Sequence, residues 1–254
     1  MLLVFDIGNT QTVVGVFSGE RLIANWRLAT ERRKTVDEYG MLIKNLFQDG
    51  NLAVAQVKAA VISSVVPPVT GLFEEMAVKY FAVKPLVIGP GIKTGLAFKY
   101  ENPKEVGADR VVNAVAAIKL FGPPLIVVDF GTATTFCAIA PTGEYHGGAI
   151  APGLGISSEA LFQRTAKLPR VEIEKPKSII GKNTIHAMQA GLFYGYLGLV
   201  EGIITRMKTE MNCNPRVVAT GGLAGLMAEN TKMIDQVEPH LTLHGLRFIY
   251  ELNN

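Results

Sequence analysis

The feature that most constrains this chain is a short pattern that occurs twice, 123 residues apart. LVFDIGNTQT begins at Leu3 and VVDFGTATT begins at Val127. Asp6 and Asp129 occupy equivalent positions in the two copies, about half a chain apart. In each copy an apolar, strand-like run ends in Asp, a glycine follows two positions later, and Thr-rich residues lead into a second strand. One Asp-x-Gly is common in turns, whereas two in matching settings predict a duplicated unit.

The patterns around the two copies support an α/β fold. Thr35-Val36-Asp37-Glu38 is a capping box that predicts a helix start, Pro67-Pro68 opens a second helix, and the long segment 89–106 is predicted to be a functional loop. Strands that alternate with helices favour α/β over all-β or a bundle. Strands are predicted at 2–6, 12–17, 22–28, 59–63, 85–88, 125–129, 134–140, 144–150 and 216–219, and further helices at 106–121, 155–165, 183–211 and most of 241–252.

Composition narrows the classes of partner. Hydrophobic residues make up 48% of the 254-residue chain and the net charge is only +3, so a sizeable core is expected and no basic stripe points to nucleic acid. The most membrane-like window, 185–205, contains His186, Gln189 and Glu201, which predicts a buried helix rather than a membrane span. The opening MLLVFDIG does not resemble a secretion signal, and two cysteines give little case for a disulfide, so a cytoplasmic location is expected.

The two Asp-x-Gly loops suit phosphate and cation binding. A glycine allows close approach of the backbone, and exposed N–H and hydroxyl groups can donate to phosphate oxygens. The Asp is only an acceptor, so its useful task would be to hold a cation or an ordered water; the alternative is that Asp6 and Asp129 merely cap turns. No P-loop or Rossmann glycine motif is present, and His240 and His244 have metal-pair spacing but no obvious third ligand.

Together with the late Val217-Val218-Ala219-Thr220-Gly221-Gly222, these loops resemble the acetate and sugar kinase, heat-shock chaperone and actin superfamily. Within it the chain is similar to the type III pantothenate kinase family over most of its length. The motif between the two loops, Gly107-Ala108-Asp109-Arg110, is the most specific part of the match. The other matching positions are Asp6-Ile7-Gly8-Asn9-Thr10, Tyr100, Asp129 to Thr134, Gly147 to Gly153 and Thr184.

The resemblance implies a fold and a reaction. The fold would be two ribonuclease-H-like domains of the actin-like ATPase type, with mixed sheets flanked by helices and an ATP cleft between them; the expected boundaries are 1–118 and 119–254. The reaction would move the γ-phosphate of ATP to the primary hydroxyl of pantothenate, giving 4'-phosphopantothenate in the first step of coenzyme A biosynthesis. The family also implies magnesium with ATP, a monovalent cation (potassium or ammonium) and a homodimer.

The resemblance also assigns roles to individual residues. Asp109 would be the base that accepts the pantothenate hydroxyl proton, although an Asp at a helix start is most often a cap. Asp129 would hold the monovalent cation. The ATP-binding residues would be Asp6, Ile7, Gly8, Asn9, Thr10, Gln11, Thr12, Val13 and Thr132, and the pantothenate-binding residues would be Tyr100, Gly107, Ala108, Asp109, Arg110 and Thr184, the last reaching the site from the partner subunit.

A stripe of glycines supports the expected dimer from a different direction. Gly191, Gly195, Gly198 and Gly202 fall on one face of the predicted 183–211 helix. Each interior glycine costs about 0.8–1 kcal/mol relative to alanine, so close helix contact is expected to compensate. Either intrachain packing or a subunit interface would supply that contact.

Three other functions fit parts of the sequence. A kinase for another small hydroxylated substrate would share the two loops, but it would not explain Gly107 to Arg110. A non-catalytic transcription accessory factor of the same family would be expected to lose Asp6, Asp109 and Asp129, and all three are present. Filament assembly or chaperone work is disfavoured because 254 residues leave no room for the extra regions.

Overall fold

The computed structural model describes the whole chain, residues 1–254, as ten strands and seven α-helices. The elements in chain order are β1 (Leu2–Ile7), β2 (Gln11–Ser18), β3 (Arg21–Ala29), α1 (Val36–Asp49), β4 (Ala59–Ser64), α2 (Pro67–Phe81), β5 (Leu86–Val87), α3 (Ala108–Phe121), β6 (Leu125–Phe130), β7 (Ala133–Ile139), β8 (Tyr145–Pro152), α4 (Leu154–Arg164), α5 (Thr184–Met211), β9 (Arg216–Gly221), α6 (Ala224–Ala228), β10 (Gln236–Val237) and α7 (Leu241–Leu252).

The strands form two five-stranded sheets with the same strand order. The first runs β3-β2-β1-β4-β5 and the second β8-β7-β6-β9-β10. In each sheet the central strand pairs antiparallel with the strand that follows it and parallel with the strand that returns after helices. The duplication predicted from the two Asp-x-Gly loops is therefore confirmed by the topology, and both sheets are mixed, as expected.

The register places one Asp at the carboxyl end of each central strand. Asp6 of β1 pairs with Val13 on one side and with Ser63 on the other. Asp129 of β6 occupies the equivalent position, between Thr135 and Thr220. The residues that precede each Asp in its strand are buried, which explains their continuous apolar sequence, since a central strand covered on both faces has no solvent side.

One face of the first sheet packs against α1 and α2. Thr35 caps α1 with the predicted capping box, because its side chain accepts from the Glu38 amide while the Glu38 carboxylate accepts from the Thr35 amide. Phe5 of β1 then packs edge-on against Phe73 of α2, with ring centroids 5.1 Å apart. In the second sheet the corresponding core forms between β6, β7 and β9 and the inner face of α5, including Phe193, Val200 and Ile204.

The chain divides into two compact units that differ from the expected boundaries. Unit 1 comprises Met1–Leu96, Glu101–Lys119 and His240–Asn254, and unit 2 comprises Ala97–Tyr100 and Leu120–Pro239. The C-terminal helix α7 thus belongs with unit 1, because its buried apolar side chains pack on the first sheet; Leu243 lies against Gly15 and the His244 ring meets Phe17 edge-on. Residues 97–100 belong with unit 2 because Phe98 forms a parallel bridge with Tyr145.

Helix α5 is long and apolar enough, by length and composition, to cross a membrane. Its most apolar window has a mean hydropathy of 1.2, and 44% of that window is buried inside the chain. Such a helix is also typical of protein cores, and the prediction of a buried helix is confirmed along the face that packs on the second sheet.

The position of α7 gives a stability prediction. Leu243 is 1% exposed and packs against the first sheet, so Leu243→Ala should lower the free energy of unfolding by about 2–5 kcal/mol, the usual cost of a large-to-small core change. Leu252, 51% exposed on the same helix, is the matched control, and Leu252→Ala should cost less than about 1 kcal/mol. Urea unfolding measures both. Equal effects would contradict a structural role for α7 in unit 1.

Candidate active site

The first loop of the site reverses the chain tightly between β1 and β2. The Gly8 amide donates to the Gln11 carbonyl at 3.0 Å, and a Cβ added at Gly8 would lie 3.0 Å from that same oxygen. The side chains of Asn9, Thr10 and Gln11 are exposed at the tip. The loop therefore presents three polar side chains to solvent a few residues after the half-buried Asp6.

Neighbouring residues fix this loop and give it positive charge. The Thr10 carbonyl accepts from the Thr30 amide at 3.0 Å, and the buried Thr12 hydroxyl bonds the Thr30 hydroxyl at 2.9 Å. Arg32 donates to Asn9 Oδ1 and Arg27 donates to Gln11 Oε1, each at 3.5 Å. Two guanidinium groups beside an exposed loop suit an anionic ligand.

The predicted loop residues fall into three groups by exposure, of which Asp6, Gly8 and Val13 are half-buried. Ile7 and Thr12 are fully buried, one on each side of the loop tip. Asn9, Thr10 and Gln11 are the exposed members. Ser63 was not predicted from the sequence. It is fully buried beside Asp6 on the parallel strand, and its hydroxyl oxygen has no hydrogen-bond partner.

The Gly107–Arg110 motif forms the start of α3. The Gly107 carbonyl accepts from the Arg110 and Val111 amides, and a Cβ at Gly107 would lie 2.5 Å from the Asp109 carboxylate. Asp109 is the second residue of α3, so it lies in the first turn of the helix predicted over 106–121. Arg110, the next residue, is only 7% exposed and so is buried at the start of the helix.

The environment of Asp109 changes its acidity. Burial raises the pKa of its carboxyl above the ordinary value of 3.8, against the opposing effects of the Arg110 backbone amide and guanidinium charge. A carboxylate with a raised pKa is a better proton acceptor at neutral pH than an ordinary one, because its basicity lies nearer the working pH.

The second loop lies in unit 2, between β6 and β7. The Asp129 carboxylate is next to Gly221, where φ is +92° and an added Cβ would lie 2.7 Å from Oδ1. On the other side of the loop, the Thr132 carbonyl accepts from the Gly153 amide at 3.2 Å. An added Cβ at Gly153 would lie 2.6 Å from the Gly131 carbonyl, so both glycines are required for close approach to this loop.

Tyr100 lies over β8 in the same unit. Its ring is 37% exposed and covers Gly147, where an added Cβ would lie 3.0 Å from the ring and where φ is +107°. The Lys99 amide donates to the Tyr145 carbonyl at 2.9 Å, which holds the segment along the strand. The long loop therefore places an aromatic side chain against the glycine-rich strand β8.

Thr184 is the first residue of α5 and its side chain is exposed. Asn183 caps the helix by accepting from the His186 amide at 2.8 Å. Thr184 lines an open cavity of about 650 Å³, together with Leu161, Leu168, residues 181–183, Ala187, Met188, Gly191 and Leu192. Unit 2 thus contains Asp129, Thr132, Tyr100 and Thr184, and unit 1 contains the first loop with Gly107–Arg110.

Comparison with known proteins identifies the family. The model of the type III pantothenate kinase family matches residues 2–206. A protein from Geobacter sulfurreducens named type III pantothenate kinase is 58% identical over 253 residues, covering 100% of this chain and 99% of the relative. The chain belongs to the type III pantothenate kinase family. The resemblance stated from the motifs is confirmed.

Solved structures that share little sequence identity with this chain have the same fold. A protein described as a Baf family transcriptional activator from Campylobacter jejuni has a TM-score of 0.64 at 17% identity, with 99% and 98% of the two chains covered. An inorganic polyphosphate/ATP-glucomannokinase from Arthrobacter sp. strain KM has a TM-score of 0.52 at 12% identity, with 100% and 99% covered. The expected α/β fold of the actin-like and sugar kinase type is confirmed.

The raised pKa of Asp109 predicts a pH-dependent stability difference in this type III pantothenate kinase. The folded state holds the Asp109 proton more tightly than the unfolded chain, so the ionised carboxylate destabilises the fold as pH rises above about 3.8. Asp109→Asn should therefore have a higher Tm than wild type at pH 7, and the gap should shrink as pH falls toward 3.8.

Differential scanning fluorimetry across this pH range measures that gap. Glu20→Gln, which changes an exposed carboxylate in the β2–β3 turn, is the matched control and should follow wild type. An Asp109→Asn variant that is less stable than wild type at pH 7 would show that the carboxylate acts as a stabilising cap instead.

Proposed function

We propose that this chain is an ATP-dependent pantothenate kinase, which transfers the γ-phosphate of ATP to the primary hydroxyl of pantothenate. The observation that carries the proposal is the family match through residues 2–206, which includes both loops and the Gly107–Arg110 motif. The half-buried Asp109 with its raised pKa supports a proton-accepting role at the start of α3. The product, 4'-phosphopantothenate, enters coenzyme A biosynthesis.

Asp109 is the proposed catalytic residue. Its carboxylate would accept a hydrogen bond from the pantothenate hydroxyl, orient the hydroxyl oxygen toward the γ-phosphorus and take the proton as the new P–O bond forms. The leaving group is ADP. Because phosphoryl transfer has a loose transition state, orientation contributes at least as much as early proton removal.

Pantothenate recognition is assigned to the start of α3 in unit 1 and to Tyr100 and Thr184 in unit 2. Pantothenate is an anion, and the buried guanidinium of Arg110 suits a carboxylate because it offers several N–H donors in one plane. Gly107 and Ala108 allow close approach of the backbone at the helix start. Tyr100 would supply an apolar face with a hydroxyl, and Thr184 a hydroxyl at the edge of the α5 cavity.

ATP binding is assigned to the two loops. Asp6 to Val13 would contact the phosphates, with Arg27 and Arg32 adding positive charge near the loop tip. Thr132 is exposed beside Asp129 and would donate to ATP from the second loop.

The residues present fit magnesium that arrives with ATP. Asp6 is half-buried, and the neighbouring Ser63 hydroxyl is an orphaned buried oxygen; carboxylate and hydroxyl oxygens are the hard donors that magnesium prefers. No group of three or more His, Cys, Asp or Glu is placed to hold a metal ion alone. Phosphate oxygens and water would complete the coordination, and bound magnesium would neutralise phosphate charge. The monovalent cation, potassium or ammonium, is assigned to Asp129.

A homodimer is proposed on α5. An added Cβ at Gly191, Gly195 or Gly198 would meet nothing within 4 Å, so intrachain packing does not use this stripe. Large apolar side chains in the same unit are also exposed, namely Ile150, Ile156, Phe162, Ile179, Ile180 and Ile185. A second copy of the chain would cover both features, which compensates the helix for its glycines. Neither of the two cysteines forms a disulfide, which suits the proposed location in the reducing cytoplasm.

One assay tests the proposed function. Purified protein with ATP and magnesium should release ADP only when pantothenate is added, and faster with potassium or ammonium than with sodium alone. A panel of sugars is the control for a kinase of different specificity. ADP release that ignores pantothenate in every buffer would refute the proposal.

A second experiment tests Asp109. Asp109→Asn should lower kcat by about 10²–10⁴, the usual scale for a general acid-base group. Its KM for ATP should stay within about threefold of wild type, because the residue acts on the acceptor. Near-native turnover by a folded Asp109→Asn protein would remove Asp109 from the chemistry.

The dimer is tested with paired glycine variants. Gly198→Ala should weaken subunit association, measured by sedimentation velocity at micromolar concentration, because a methyl group separates the helices. Gly71 of α2, whose added Cβ also meets nothing within 4 Å, is the matched control. Gly71→Ala should leave association unchanged and stabilise the fold by up to about 1 kcal/mol. A wild-type protein that sediments only as a monomer would contradict the dimer.

A further inference from the structure

Tyr196 lies beneath the second loop, which connects β6 and β7. It sits on α5 and is 6% exposed, and its hydroxyl forms a hydrogen bond with the Thr134 hydroxyl. The backbone amide of Leu154 bonds the same hydroxyl. The Tyr196 ring also packs against Phe130, with centroids 6.2 Å apart.

These three contacts surround a single turn. Phe130 is the last residue of β6 and Thr134 the second of β7, so Tyr196 touches the chain on both sides of Gly131-Thr132-Ala133. Leu154 follows Gly153, whose amide donates to the Thr132 carbonyl at 3.2 Å. One side chain thus contacts both ends of the loop and the segment that holds its tip.

The protonation state of Tyr196 suits this arrangement. Burial raises the pKa of its hydroxyl above the ordinary value of 10, and the nearby negative charge of Asp129 raises it further. The hydroxyl therefore keeps its proton at neutral pH. It can accept from the Leu154 amide and also donate or accept with Thr134.

We infer that Tyr196 is a positioning residue for ATP binding. Through its contacts with Thr134 and Leu154, Tyr196 holds the Gly131–Ala133 turn in the shape that binds the ligand. The inference rests on the proposed kinase function, in which Thr132 contacts ATP and Asp129 holds the monovalent cation. A buried tyrosine that only fills the core would need its ring but not its hydroxyl. The hydroxyl is therefore the group to remove.

Tyr196→Phe retains the ring and deletes the hydroxyl. The KM for ATP should rise about three- to tenfold, the range that corresponds to one lost hydrogen bond, while the KM for pantothenate stays within twofold. Tyr194, two residues earlier on α5, is the matched control, because its hydroxyl bonds only the distant Pro176 carbonyl at 3.5 Å. Tyr194→Phe should leave both KM values within twofold of wild type.

The partner of the hydroxyl gives a second variant. Thr134→Val removes the other end of the hydrogen bond with almost no change of shape. If the two hydroxyl groups act together, the double variant should raise the KM for ATP no more than the larger single change does. If the two single changes in the KM for ATP multiply in the double variant, Tyr196 and Thr134 act separately. That result would contradict the inference that Tyr196 holds the loop through Thr134.

Hydrogen exchange tests the inference without relying on catalysis. In Tyr196→Phe, the amides of residues 131–133 should exchange faster than in wild type or in Tyr194→Phe. Unchanged exchange together with an unchanged KM for ATP would leave Tyr196 as a packing residue only. If wild-type protein releases no pantothenate-dependent ADP, the proposed function fails, and the exchange comparison still decides whether Tyr196 orders the loop.

Discussion

The rest of the site depends on the double pairing of the two central strands. β1 and β6 are each hydrogen-bonded to an antiparallel strand on one edge and a parallel strand on the other. A strand held on both edges cannot shift its register without breaking two ladders and turning every side chain to the opposite face. Asp6 and Asp129 therefore have fixed positions at the strand ends, and the loops that follow begin from a rigid base.

Glycine makes that rigidity compatible with a ligand site. Around the second loop, side chains at Gly153 and Gly221 would collide with loop carbonyls or with the Asp129 carboxylate. Tyr196 fills the space below the same turn and satisfies the buried Thr134 hydroxyl. The loop is thus surrounded by backbone on two sides and by one amphipathic side chain underneath, which leaves Thr132 as its exposed polar group.

Sequence was most informative where local chemistry decides the structure. The capping box at Thr35, the strands that carry Asp6 and Asp129 near their carboxyl ends and the helix that carries Asp109 in its first turn all follow from neighbouring residues. The placement of α7 in unit 1 could not be predicted, because an amphipathic helix shows which face is buried but not against which sheet. Ser63 and Tyr196 were missed for a similar reason: each lies in an apolar segment, and only tertiary pairing brings its hydroxyl to a loop.

Burial of Asp109 has two opposite consequences: it lowers the stability of the folded protein, and it raises the basicity of the carboxylate. Burial at the start of α3 disfavours the ionised carboxylate, and the Arg110 charge only partly offsets this. A fully solvated Asp would be easier to accommodate but would be a weaker base, since its pKa would lie further from neutral pH. At the proposed site, bound pantothenate would bury Asp109 and Arg110 further and strengthen the interaction of Arg110 with any nearby negative charge. In the proposed reaction, the same burial that destabilises the ionised carboxylate would raise its basicity toward the acceptor hydroxyl. The first sheet packs against α1, α2 and α7, and this core contributes stability that offsets the cost.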